Sequence, residues 1–177
     1  YTVLESPGPA NVVPNKAVGS FYLRSYNSAY LESLKPRFEN IIRGAAMMAG
    51  VESEIRYGRT LDSKVPVLAL NDIIMDNAKL VNAPTLRPPR EKTGSSDFGN
   101  VMYRLPGSCI RIAFVPEGTS SHSQTFLDYG KTQQAHDAVV YAAKILAGAS
   151  WDLIDHPEKM AAVKDEFVQT KAKMAQA

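Results

Sequence analysis

The sequence predicts an α/β chain, α+β in its overall segregation, built in two parts. Three observations carry this. A nearly continuous apolar run, residues 109–115 (CIRIAFV), has the pattern of a strand buried on both faces of a sheet. Residues 18–57 read strand, helix, strand. Two long segments of helical periodicity close the chain. The second segment starts at about Leu61, and the 177 residues suit one large domain or two small ones.

In the first part, residues 18–25 (VGSFYLRS) follow a proline-rich start and are rich in Phe, Tyr, Val and Leu, which suits a strand. Asn27 or Ser28 offers a side-chain oxygen to cap the next helix. Phe38, Ile41, Ile42, Ala45 and Met48 repeat at the spacing of one helical face. Pro36 should kink that helix or mark a second start, and Gly50 should end it in the left-handed conformation. Residues 51–57 (VESEIRY) alternate apolar and polar side chains, as a half-buried strand does. Two strands flanking one helix leave an apolar sheet face open, so about 60 residues of this kind need another half or a partner chain.

In the second part, Leu70, Ile73, Ile74 and Leu80 mark a helix over 69–81. A Pro/Arg-rich loop follows at 82–92 (NAPTLRPPREK), then the strand at 109–115. Ala135, Ala138, Val139, Ala142, Ile145 and Leu146 form the alanine-rich face of the next helix. Asp155 or the turn before it caps the last one, whose apolar face is Met160, Val163, Phe167 and Met174.

Bulk properties exclude some functions. Hydrophobic residues make up 45% and charged residues 21% of the chain, as in an ordinary globular protein. The net charge is +2, from 20 basic and 18 acidic residues, and the basic groups are scattered, which argues against a nucleic-acid binder. No apolar run approaches the ~20 residues that span a bilayer. Cys109 is the single cysteine, so no internal disulfide forms and a reducing, cytoplasmic compartment is expected. Tyr1 is not an initiator methionine, which suggests a processed or truncated product.

Three motifs offer chemistry. Residues 9–14 (PANVVP) present Asn11, and Arg24 follows near the end of the predicted strand. An Asn amide donates to carbonyl or carboxylate oxygen, and an Arg fork grips a carboxylate with two parallel bonds. Taken alone they also read as a turn residue and a solvent-facing strand residue. Residues 94–100 (GSSDFGN) place Asp97 among small residues, which indicates a tight Asx or helix-cap turn with close backbone approach. Residues 118–123 (GTSSHS) put His122 on a loop directly after the apolar run, a favoured position for a ligand or catalytic group. His136 and His156 read as structural. No HxH, HExxH or cysteine cluster, and no phosphate loop or dinucleotide fingerprint, is present.

The order of these motifs resembles a family. Asn11-Val-Val-Pro-Asn, the strand ending near Arg24 and the helix with Arg43-Gly-Ala-Ala are similar to the second half of the lid, or dimerisation, domain of the zinc amidohydrolases typified by carboxypeptidase G, aminoacylase and acetylornithine deacetylase. Gly94-Ser-Ser-Asp-Phe-Gly-Asn-Val resembles the turn that re-enters that family's catalytic domain. His122-Ser, Tyr129-Gly, the alanine-rich helix and Trp151-Asp-Leu-Ile-Asp resemble its C-terminus. The similarity is greatest to the β-alanyl-lysine dipeptidase and aminobenzoyl-glutamate hydrolase branch, and it is collinear over nearly the whole chain.

The resemblance implies part of a βαββαβ ferredoxin-like lid over 1–61 and the C-terminal part of a zinc-peptidase α/β sandwich over 62–177. It implies a dipeptidase or amidohydrolase acting on dipeptides or N-acyl amino acids, with two zinc ions ~3.5–4 Å apart activating a bridging water and a homodimer formed through the lid. Asn11 and Arg24 fall on the lid pair that holds the substrate's carbonyl and carboxylate end, Asp97 on a pocket segment, and His122 on the last metal-ligand position. The family's other ligands and its glutamate base lie upstream of the matched region, so none of the catalytic residues is in this sequence. One imidazole cannot hold two metals, and the expectation is a fragment inactive alone. The alternative is a non-catalytic dimerisation or binding subunit that keeps the fold.

Overall fold

The computed structural model describes residues 1–84, 86–87 and 93–176. Part of the expected 82–92 loop lies outside them. The described residues are mostly helical with a small two-stranded sheet. They divide into two compact units, Tyr1–Arg59 and Thr60–Gln176.

The first unit opens with β1 (Thr2–Glu5), which pairs antiparallel with β2 (Val18–Ser20), Thr2 lying opposite Ser20 and Val3 opposite Gly19. The register slips between Val3 and Glu5 at a bulge, and Lys16 lies 3.4 Å from Glu5. Regular pairing stops at Ser20, so the strand expected over 18–25 is shorter than its composition suggests. Asn27 starts α1 (Ser28–Ala49): its side-chain oxygen accepts from the N–H groups of Ala29 at 2.8 Å and Tyr30 at 3.3 Å. The helix continues through Pro36. It ends at Gly50, whose φ of 68° lets the Gly50 and Val51 N–H groups return to the Met47 and Ala46 carbonyls.

Leu31 is the one buried residue of this unit among those described. Phe38 touches Phe21 at 5.3 Å between ring centres, and Phe21 stacks on Tyr1 at 6.0 Å. The rest of the predicted apolar face is largely uncovered: Ile41 and Met48 are exposed.

Residues 51–57 do not form the expected strand. Alternation prepares one face of a segment, but a ladder also needs a second segment to receive its hydrogen bonds, and none of the described residues supplies one here. The stretch is fixed instead by side chains. Glu54 pairs with Arg56 at 2.7 Å, and the Tyr57 hydroxyl donates to Glu39 of α1 at 2.9 Å.

The second unit is built on α2 (Leu68–Leu80), α5 (Gln133–Asp155) and α6 (Pro157–Gln176), with short helices α3 (Phe98–Met102) and α4 (Gln124–Tyr129) between them. Its core joins Leu70, Ile74 and Ala78 of α2, Ile145 and Ala149 of α5, and Val163 and Phe167 of α6, with Val65 and Val67 from the preceding segment. Thr132 caps α5 through its hydroxyl. The cap of α2 comes from far away. Val67 makes no side-chain cap bond, and the Glu166 carboxylate accepts from Leu68 N–H and Ala69 N–H at 2.8 Å each. A carboxylate at a helix N-terminus also meets the positive end of the helix dipole.

Residues 109–115 form no strand among the described residues, which corrects the expectation of a strand buried on both faces. Ile110, Ile112 and Phe114 are half-buried while Cys109, Arg111 and Ala113 are exposed. One face therefore packs, Ile110 and Ile112 against the core and Phe114 on Phe126 at 4.9 Å. The other face and the backbone find no neighbouring strand here, so these residues do not by themselves build a sheet layer. No described helix is long and apolar enough to cross a membrane.

One polar group is enclosed in the helical core. The Asn77 amide donates to Ile73 O at 3.0 Å and to Asp152 Oδ2 at 2.7 Å, and Lys159 donates to Asp152 Oδ1 at 3.1 Å. Gly148 is required opposite it, because a Cβ there would run into the Asn77 side chain. The Asn77 hydrogen bond, then that of Lys159, holds the Asp152 carboxyl below its ordinary value of 3.8. A carboxyl lowered on folding stabilises above its unfolded value and loses that contribution as pH falls through the folded one. Stability is thus expected to decline as pH drops below about 3.8, and Asp152→Asn should flatten that part of the curve. Urea unfolding midpoints at successive acid pH values check this; identical slopes for both proteins would refute it.

Candidate functional site

Residues 9–12 form a tight turn closed by Val12 N–H to Pro9 O at 3.0 Å, with Asn11 at its third position. Asn11 is exposed, and its amide has no partner among the described residues. Arg24 lies in the stretch after β2 that has no regular secondary structure, and it is also exposed. Its guanidinium carbon is 5.6 Å from the centre of the Tyr22 ring, and its N–H groups meet no acceptor among the described residues. Four other arginines are ion-paired: Arg43 to Glu39, Arg56 to Glu54, Arg87 to Glu117 and Arg104 to Asp62. Asn11 and Arg24 both belong to the first unit; Asp97 and His122 belong to the second.

Asp97 begins α3, its Oδ1 accepting from Phe98 N–H at 3.0 Å. The close approach inferred from the small residues is real and lies at Gly99, where any Cβ would collide with the Asp62 carbonyl oxygen. Asn100 Oδ1 accepts from Asp62 N–H at 2.7 Å, and Arg104 reaches Asp62 Oδ2 at 2.8 Å. In this structure the 94–100 motif therefore anchors the start of the second unit, and Asp97 serves as a helix cap.

His122 sits on a loop folded by its serines. Gly118, at φ 85°, and the bond from Thr119 N–H to Pro116 O turn the chain after the apolar run. Ser123 Oγ donates to Ser120 O at 2.7 Å and accepts from Phe126 N–H at 3.2 Å, which starts α4. The imidazole between them is exposed, with no ring partner among the described residues, beside an open hollow of about 380 Å³ that Ser121, Gln124 and Leu127 help to line. A slightly larger hollow of about 410 Å³ lies along α5. Its walls are mostly hydrocarbon, from Ile112, Phe114, Ala138, Val139 and Ala142, and its one ionisable group is His136, so it lacks the converging polar groups of a reactive site.

A zinc centre takes three or four donors, drawn from imidazole, thiolate and carboxylate. Among the described residues no cluster of three such groups occurs. His122 is a single free imidazole, and this donor set alone does not fit a dinuclear zinc site. His156 ends α5 and lies 3.4 Å from Glu158 and 3.9 Å from Asp155, a local helix-end arrangement.

Sequence patterns gave no sign of Ser121 and Gln124 as neighbours of the hollow, nor of Tyr22 as the support of Arg24.

No family model matches this sequence. Over 162 residues the chain is 25% identical to an Xaa-Arg dipeptidase of Homo sapiens, and over 161 residues it is 24% identical to an Xaa-Arg dipeptidase of Mus musculus. Each match covers 89% of this chain and 37% of the relative, so the chain spans 37% of the length of the curated relatives it matches.

Proposed function

We propose that this chain is the C-terminal part of a two-zinc amidohydrolase that cleaves the amide bond of dipeptides or N-acyl amino acids. The observation that carries the reading is the similarity to two Xaa-Arg dipeptidases across 89% of the chain. The local geometry is consistent with it. Arg24 is an unpaired cationic fork suited to the substrate's C-terminal carboxylate, and Asn11 is an unpaired amide suited to a neighbouring carbonyl. Asp97 contributes to the wall of the substrate pocket. His122 is one of the zinc ligands, and the remaining donors come from protein outside these 177 residues. The chain alone is accordingly inactive.

The first unit, with a single buried residue and a bare apolar helix face, functions as the lid and pairs with its copy in a homodimer. The second unit belongs to the catalytic α/β sandwich. The two zinc ions and the cytoplasmic setting are parts of the same proposal.

The test uses the complete protein and an Xaa-Arg dipeptide. Arg24→Ala is expected to raise KM by about 10–100-fold, the loss of a charge-assisted hydrogen-bond pair worth ~1.5–3 kcal/mol. Unchanged KM and kcat would remove Arg24 from the site. A folded dimer of the complete protein that binds no zinc and cleaves no dipeptide would favour a non-catalytic assembly subunit.

A further inference from the structure

We infer that Tyr22 is a positioning residue for Arg24, restricting where the guanidinium sits before a substrate carboxylate arrives; this rests on the reading of Arg24 as the carboxylate grip. The stretch after β2 alternates in burial. Phe21 turns to Tyr1 and Phe38, while Leu23 and Ser25 are half-buried. Tyr22 and Arg24 are exposed.

Tyr22 is 82% exposed, so its ring is not held there by the core. Its one contact of note is the Arg24 guanidinium, 5.6 Å from the ring centre and within the ~6 Å range of a cation–π pair. An arginine held near a ring by a cation–π contact still has N–H groups to offer a planar carboxylate. Here those N–H groups have no acceptor among the described residues. A long, exposed side chain would otherwise sample many rotamers, and the ring restricts them before substrate arrives, which favours binding. Tyr22 touches no reacting atom in this account and acts through Arg24.

The experiment compares the complete protein with its Tyr22→Leu, Tyr22→Gln, Tyr22→Phe and Arg24→Ala variants. Each is assayed on one dipeptide with a free C-terminal carboxylate and on the same dipeptide as its carboxamide, and each variant's melting temperature is recorded. Tyr22→Leu and Tyr22→Gln are expected to raise KM for the free acid about 2–5-fold with a smaller change in kcat. Tyr22→Phe should match the parent, because it keeps the ring face. KM for the carboxamide should not move. If Arg24→Ala raises KM for the acid while both ring-deleting variants leave it unchanged, the role of Tyr22 is overturned and that of Arg24 stands. If Arg24→Ala also has no effect, both fall. An equal rise for acid and carboxamide would show a general disturbance of the unit and overturn the inference as well.

Discussion

On the proposed two-zinc reading, replacing His122 with alanine is expected to lower kcat/KM of the complete protein by at least ~100-fold and to reduce its zinc content. Outer-shell partners of metal ligands already cost ~10–100-fold when removed, and a direct ligand should cost no less. The structure makes the result discriminating. The ring is exposed and has no partner among the described residues, and the loop is folded by Ser120 and Ser123 instead. Stability should therefore stay within the ~0.5 kcal/mol usual for a surface substitution. Activity and metal content would collapse in a protein that unfolds as before. Activity within threefold of the parent, with zinc retained, would exclude His122 from the centre. His136→Ala, on α5 beside the apolar hollow, is the matched control and should leave activity unchanged.

Truncating Ile145 to alanine should lower the stability of the second unit by about 2–5 kcal/mol, the range for deleting a large aliphatic side chain from a core. Ile145 is fully enclosed, with Ile74 of α2 and Val163 and Phe167 of α6 in the same cluster. Its small helical neighbour Ala149 has no side-chain reach to fill the space. Ile145→Val removes less and should cost about 0.5–1.5 kcal/mol. Chemical denaturation of both variants checks the pair. A loss below ~1 kcal/mol for the alanine variant would mean that the three long helices do not close around this residue.

The four long helices were legible because their signals are local, whereas the short α3 and α4 were not foreseen. The Asn27 cap, the Gly50 stop, the stripe through Leu70 and Ile74, and the face of Val163 and Phe167 each lie within one or two turns of the bonds they direct. The extended segments were not. Residues 51–57 and 109–115 have strand-like patterning, yet a strand is completed only by a second segment, and pattern says nothing about whether one is at hand. β1 went unforeseen for the converse reason: its four residues become a strand by pairing with β2, not by any periodicity of their own. At the candidate site, Asn11, Arg24, Asp97 and His122 were singled out by residue type and order. What each side chain meets was legible only in part: Asp97 as a cap followed from turn chemistry, whereas the free imidazole and the ring under Arg24 required coordinates. Asn77 carried a faint signal, a polar side chain at the spacing of Leu70, Ile74 and Ala78.

Glu166 has a temporal consequence. The two amides it receives lie 97 and 98 positions earlier in the chain. As the polypeptide leaves the ribosome N-terminus first, α2 emerges with its leading N–H groups bound only to water, and it stays so until nearly the whole of this sequence has been made. The cap of α2 is thereby deferred to the arrival of the final helix of the second unit, a contact of high sequence separation of the kind that slows folding.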